Sequence, residues 1–330
     1  MAGRVFMPPR PPHILLLAPG AKVGLTRIWA ESVKARQGLL TGWETDTYAP
    51  TLQLCDQVTA GGALEEASNV ERFHEWCRRE KPDLVVPSRH GDLNALASTA
   101  DALRTHGTAV AVSSAECVAL CTDKVAMHDW LCRSGFPAPE QTTVAAHHQS
   151  PLQDHFPLIA KDARGSGSGG IRLCRDANDL VSLSADWLLQ SIAPGIEFTV
   201  NTYVDAQGSC TCTIPHERIL VRDGEVVRAR TVRNSVVMQL ARQISESLPG
   251  ARGPLNIQIF WDEVTARATV IEINPRFGGG YPLAHRAGGT FVNWLLQEYV
   301  DHTTPAQLDD WEENLLMVRY RDAIFHSRAT

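Results

Sequence analysis

The chain has 330 residues, 44% of them hydrophobic and 21% charged, with a formal net charge of −6. That length supports two or three domains with proper cores, and the negative balance argues against nucleic acid or an anionic membrane as the main partner. No apolar run reaches bilayer-spanning length, and the start, MAGRVFMPPRPPHILLLAPG, reads as a loose tail and a first buried strand, not a signal peptide.

Strands and helices alternate from there. HILLLAP is a short apolar run, LTRIWAESVKARQ has helical spacing, LLTGWETD is a second strand, and NVERFHEWCRREK is an amphipathic helix closed before Pro82. DLVVPS is a third strand, LNALASTADALRTHG a helix stopped at Gly107, and TAVAVSS a fourth strand. This order predicts a doubly wound parallel sheet over residues 1–112. AECVALCTDKVAMHDWLCRSG predicts two helices meeting at Asp123–Lys124, and FPLIAKDARGSGSGGIRLCRD a strand, a glycine-rich loop and a strand. DLVSLSADWLLQ reads as helix, which makes residues 113–192 a small α+β module. In IEFTVNTYVD strict alternation puts Ile196, Phe198, Val200 and Val204 on one face and Glu197, Thr199 and Asn201 on the other. SCTCTIPHERILVRDGEVVRART predicts further strands around an Asp223–Gly224 turn, VVMQLARQISESLPG a helix, and LNIQIFWDEVTARATVIEIN an antiparallel hairpin. Residues 193–330 are thus expected to hold an antiparallel sheet.

Eight cysteines are scattered without CxxC spacing, which disfavours a zinc site. Their dispersion predicts reduced thiols in a cytoplasmic protein.

Two stretches carry chemistry. In TVIEINPRFGGG, alternation predicts Val270, Glu272 and Asn274 on one strand face and Ile271 and Ile273 on the other. Pro275 ends the ladder, and Arg276 and three glycines follow. Hard cations such as Mg²⁺ take such oxygen pairs, completed by phosphate and water. LNIQIF puts Gln258 within cross-strand reach of Glu272 when the two polar faces coincide. The second stretch, LIAKDARGSGSGG, satisfies GxGxxG, but it opens into the apparent strand IRLCRD. A dinucleotide fingerprint needs a helix N-terminus there, so the loop reads instead as a flap over triphosphate, with Lys161 beside it.

Taken in order, PGAKVGLTRIWAES, TGWETDTYAPTLQLCD, SSAECVALCTDKVAMHDWLCRSGFPAP, LIAKDARGSGSGGI, GPLNIQIF and VIEINPRFGGGYPLAHRAGG resemble the ATP-grasp superfamily. The branch they resemble is that of the carbamoyl phosphate synthetase large subunit and the carboxylate–amine ligases. The resemblance implies an N-terminal α/β domain (1–112), a central lid subdomain with a glycine-rich flap (113–192) and a C-terminal subdomain with the metal site (193–330). It implies ATP and two Mg²⁺ ions, with Mn²⁺ as a substitute. Lys124 and Lys161 match the phosphate-contacting lysines; Ser166, Gly167, Ser168, Gly169 and Gly170 match the phosphate-covering loop. Gln190, Ser191 and Ile192 resemble the adenine hinge, Gln190 departing from the acid common there. Glu197 matches the ribose-binding acid, Gln258, Glu272 and Asn274 the metal ligands, and Arg276 the arginine that steadies the transferring phosphoryl group.

In VPSRHGDLNAL, His90 stands where related chains often carry an acid, and Asp92 keeps the other acidic position. With Arg218 and Arg286, which could clamp a carboxylate, they are the candidates for acceptor recognition. The reaction implied is an ATP-dependent carboxylate–amine ligation through an acyl phosphate, with small acids and amines, amino acids among them, as substrates. By analogy a homodimer is expected. The rival readings are a bicarbonate-dependent carboxylase, an ATP-binding regulator without turnover, and a nicotinamide oxidoreductase, the last disfavoured by the strand after the glycine loop.

Overall fold

The computed structural model describes residues 11–152, 156–163 and 170–325. Ser166, Gly167, Ser168 and Gly169 of the expected phosphate loop lie outside the described residues. The chain divides into two compact units, Met1–Val112 with Thr290–Ala306 and Asp322–Thr330, and Ser113–Gly289 with Gln307–Arg321.

The first unit runs β1 (His13–Leu17), α1 (Val23–Ala35), β2 (Leu39–Glu44), β3 (Gln57–Ala60), α2 (Ala67–Glu80), β4 (Leu84–Pro87), α3 (Leu93–Thr105) and β5 (Ala109–Val110). The sheet is parallel throughout, in the order β3-β2-β1-β4-β5. Continuous apolar runs such as Ile14–Leu17 and Leu84–Val86 are buried because helices cover both faces of such a sheet. It has five strands where the sequence pattern suggested four. The extra strand, QVTA, is a largely exposed edge and lacks the apolar signal of its neighbours.

The second unit begins with α4 (Ala115–Thr122) and α5 (Lys124–Arg133), whose first turns are capped by the side chains of Ser114 and Asp123. Next come β6 (Gln141–Thr143), α6 (Val144–His147), β7 (Leu158–Lys161), β8 (Ile171–Cys174) and β9 (Leu188–Ser191). These strands make an antiparallel sheet, β6-β9-β7-β8. The helix expected over DLVSLSADWLLQ does not form. Ala177–Leu180 is a short 3-10 turn and Leu188–Ser191 is strand β9, paired on both edges and buried at every position. An apolar segment of that length fits a central strand as well as a helix, and two available partners decide the matter.

A second antiparallel sheet follows, from β10 (Ile196–Val204), β11 (Cys210–Arg222) and β12 (Glu225–Thr231), then α7 (Ser235–Ser247), β13 (Gly253–Asp262), β14 (Arg267–Asn274) and α8 (Tyr281–Arg286). Helix α9 (Phe291–Tyr299) falls in the first unit, where it packs on α1 and Arg36 binds both oxygens of Asp301 at 2.9 and 2.8 Å. β15 (Leu316–Val318) returns to the second, giving the order β14-β13-β10-β11-β12-β15. On one face of this sheet α7 buries Val237, Leu240, Ala241 and Ile244 against Val200, Ile257, Ile259, Val270 and Ile273.

Strict alternation fails at one residue. Gln258 pairs with Glu272 but Ile259 pairs with Val270, which leaves Ile271 unpaired in a β-bulge. The bulge resets the alternation, so Val270 joins Ile273 in the core and does not share the face of Glu272 and Asn274.

Candidate active site

The face of this sheet turned away from α7 is polar, and the strand register fixes its rows. His216, Thr199, Gln258 and Glu272 stand opposite one another across β11, β10, β13 and β14. Beside them Asn201, Asn256 and Asn274 form a second row. Directly opposed residues lie about 4.5–5.5 Å apart at Cβ, so Gln258, Glu272 and Asn274 are neighbours. A carboxylate and two amide oxygens are hard donors, and three of them leave further coordination positions to phosphate and water.

Cations gather around these oxygens. Lys161, at the end of β7, is largely buried, which pushes its ammonium below the usual lysine range; Glu272 and Glu197 oppose that shift and Lys124 adds to it. Lys124 opens α5 and donates to Asp162 O at 2.9 Å. Arg218 Nε lies 3.1 Å from Glu197 Oε1. Burial raises the Glu197 carboxyl above its ordinary range, with Arg218 and Lys161 pulling it down and Glu272 adding to the rise. Arg276 donates from Nη2 to Asn274 Oδ1 at 3.3 Å and from Nη1 to Phe277 O at 2.9 Å, while its Nε is buried without a partner among the described residues. Burial lowers the pKa of this guanidinium too, against the pull of Glu272. Lys124, Lys161, Arg218 and Arg276 thus outnumber Glu197 and Glu272, and buried like charges are costly without counter-ions. The arrangement fits a polyanion carrying a hard cation.

The other expected residues are placed as follows. Gln190 lies inside β9, its Nε2 donating to Gln141 Oε1 at 2.5 Å. Ser191 Oγ accepts from Glu140 N at 3.1 Å, and Ile192 is exposed just beyond the strand. Gly170 O accepts from Asp162 N at 2.9 Å, closing the base of the glycine-rich segment. Asp92, in the first unit, is 1% exposed and already engaged by Arg89 and by Leu64 N. His90 sits in the same 3-10 turn. Arg286 is exposed at the end of α8. Sequence reasoning missed His216 as a site residue, although alternation along TIPHERI places it on the same face as Arg218.

The model of the ATP-grasp domain family matches residues 121–280. That span contains both lysines, the three oxygen donors and Arg276.

The chain carries an ATP-grasp domain.

Similarity beyond the ATP-grasp domain is wide in fold and thin in sequence. The chain is 30% identical over 184 residues to the Sinorhizobium fredii protein y4rH, half of this chain but only 38% of that protein's length. Among solved structures, the biotin carboxylase domain of Hydrogenobacter thermophilus 2-oxoglutarate carboxylase superposes with a TM-score of 0.72 at 17% identity, covering 92% of this chain and 73% of that one. The L-amino acid ligase of Bacillus licheniformis gives 0.69 at 14%, covering 88% and 74%. At such identities the shared property is the fold. Among the described residues, no helix is long and apolar enough to cross a membrane.

Proposed function

We propose that the protein is an ATP-dependent carboxylate–amine ligase that activates a small acid as its acyl phosphate for capture by an amine, with amino acids as the substrate class. The observation that supports this most directly is the buried cationic excess around Glu272, Gln258 and Asn274, which suits a triphosphate with its metal. ADP and phosphate are the other products, and dispersed free thiols fit a cytoplasmic setting. In this reading residues 113–192 supply the lid and residues 193–289 the metal site.

Glu272, Asn274 and Gln258 would hold Mg²⁺, which when bound neutralises phosphate oxygens. Lys124 and Lys161 bind phosphate oxygens as point charges, Lys161 all the more strongly for being poorly solvated. Arg276 offers its Nε–H to the transferring group. Glu197 takes the ribose hydroxyls and is oriented for that by Arg218. Phosphoryl transfer asks for such positioning and charge neutralisation more than for covalent help. The acid oxygen displaces ADP from the γ-phosphorus, and the amine nitrogen then displaces phosphate from the acyl carbon.

The experiment is ADP and phosphate release by the purified protein with Mg²⁺, ATP and pooled amino acids, with products read by mass spectrometry. A new amide mass that appears with ADP is the expected result. Strict dependence on added bicarbonate would reassign the protein as a carboxylase, for which the Hydrogenobacter structure, solved with MgADP and bicarbonate, is the fold precedent. ATP binding with no product from any pool would leave a regulator.

A further inference from the structure

The sheet β6-β9-β7-β8 has two unlike faces. Leu158, Ala160 and Leu189 point into a core of their own. Directly paired residues share a face, so the opposite side carries two rows. The first is Gln141, Gln190, Ile159 and Leu173; the second includes Leu188, Lys161 and Ile171. Ile171 and Leu173 are 49% and 45% exposed, so this face is open along the β8 edge. A flat apolar surface with two amides and one lysine suits a planar ring that carries an anion.

The reading above assigns the anion's end. Lys161 takes phosphate and Glu197 the ribose hydroxyls, while Glu272, which bears on both electrostatically, holds the metal. The first row lies two residues further along β7, about 6.6 Å away at the rise of a strand. That row is left for the base, and Gln190 is its polar contact.

Gln190 does not stand alone. Its Nε2 donates to Gln141 Oε1 at 2.5 Å. Gln190 Oε1 and Gln141 Nε2 have no partner among the described residues, and neither atom is sealed from solvent. An amide holds a donor and an acceptor of nearly the same shape. Turning both amides over therefore keeps the bond between them, with Gln141 now donating. The group that Gln190 leaves for a ligand changes from C=O to N–H. A carboxylate at this position would have no second state, because it only accepts. Purines divide on the same point: a 6-amino group donates and a 6-oxo group accepts.

We propose that Gln141 and Gln190 form a coupled pair that reads the purine C6 position in either sense, so that the site takes 6-oxo as well as 6-amino purine nucleotides. The proposal rests on the nucleotide placement above. Gln190 touches the base, and Gln141 is a positioning residue that sets which atom Gln190 turns toward it. Holding the amide in the wrong sense would set two like atoms against each other in a largely desolvated place, which costs more than a missing hydrogen bond.

Calorimetric titration with MgADP and MgIDP tests this, since the two bases differ only at C6 and in the proton on N1. The wild type is expected to bind both, with Kd values within about tenfold. Gln190→Glu should weaken MgIDP relative to MgADP by about 10- to 100-fold, the size of one lost hydrogen bond involving a charged group. Gln141→Glu should move the ratio the same way with the MgADP affinity nearly kept, because a carboxylate there obliges Gln190 to donate to it and to turn its C=O to the base. A merely structural role for Gln141 would shift both affinities together. Wild-type protein that binds MgADP and refuses MgIDP overturns the proposal, as does a ratio unmoved in Gln141→Glu; the wild-type ratio decides alone should the variants not fold. Binding of neither nucleotide sinks the nucleotide placement and this proposal with it. Binding of both while no amide forms from any pool keeps the pair as base reader and sinks the ligase reading instead.

Discussion

Asp92 and Glu272 are both carboxylates set at the end of a strand, and the chain treats them in opposite ways. Asp92, in the turn after β4, is buried and accepts hydrogen bonds from Leu64 N and from two nitrogens of Arg89. Glu272, near the end of β14, has no hydrogen bond to either oxygen among the described residues, although it bears on Lys161, Glu197 and Arg276 electrostatically. A carboxylate whose lone pairs are taken by its own chain holds a loop in shape. One left open beside buried cations is available to a ligand.

The largest effect should come from breaking the open one. Glu272→Ala is expected to lower kcat by about 10²–10³-fold, the range seen when one preorganised charge-stabilising group is removed, with the thermal midpoint shifted by only a few degrees. Steady-state ADP release checks the first and calorimetry the second. Full turnover in this variant would remove Glu272 from the site. Asp92→Ala should do the reverse. Arg89 is 37% exposed, so solvent screens much of its pairing, and the cost comes chiefly from the stranded Leu64 N–H. We expect up to about 3 kcal/mol lost in urea unfolding and unchanged turnover per folded molecule. A selective loss of turnover at full stability would restore Asp92 to the acceptor site.

The contrast was half legible in the sequence. Alternation is local, so the polar strand faces that carry Gln258, Glu272 and Glu197 could be read from residue order alone, whereas the register that sets Gln258 opposite Glu272 could not. The bulge at Ile271 could not, because it depends on how β14 fits β13, and without it Val270 is assigned to the wrong face. LLQS was equally opaque, since its strand character comes from β6 and β7 on either side. The Glu197–Arg218 pair and the burial of His216 require β10 beside β11, a contact that the polar face alone does not announce. The engagement of Asp92 by its neighbour Arg89 lies three residues away in sequence, yet only a tight turn brings the two together.

His216 extends the contrast to pH. Its folded pKa, about 3, lies below the ordinary 6.5, so the unfolded chain binds the proton more readily. Stability from this group is therefore complete above pH 6.5 and declines as pH falls toward 3, by about 2 kcal/mol between 6.5 and 5. Urea midpoints of the wild type and His216→Gln across that window should diverge, the variant being the flatter. Parallel curves would mean that the ring is solvated in the folded protein.

The smallest effect should come from the other arginine of the same motif. Arg276 and Arg286 stand ten residues apart in NPRFGGGYPLAHR; from sequence the first matches the arginine that steadies the phosphoryl group and the second is a candidate carboxylate clamp. Arg276 is fixed by Asn274 and Phe277 and keeps a buried Nε without a partner among the described residues. Arg286 is exposed at the end of a short helix. An exposed guanidinium is well hydrated and screened, so it has little to gain from any one ligand. Arg286→Ala should leave kcat and both KM values within about twofold, because surface substitutions of this kind cost under about 0.5 kcal/mol. Arg276→Lys, which keeps the charge but removes the planar fork, should lower kcat by far more. If instead the exposed residue proves the costlier of the two, burial without a partner is the wrong guide to where this protein meets its substrate, and the placing of Arg276 would have to be argued on other grounds.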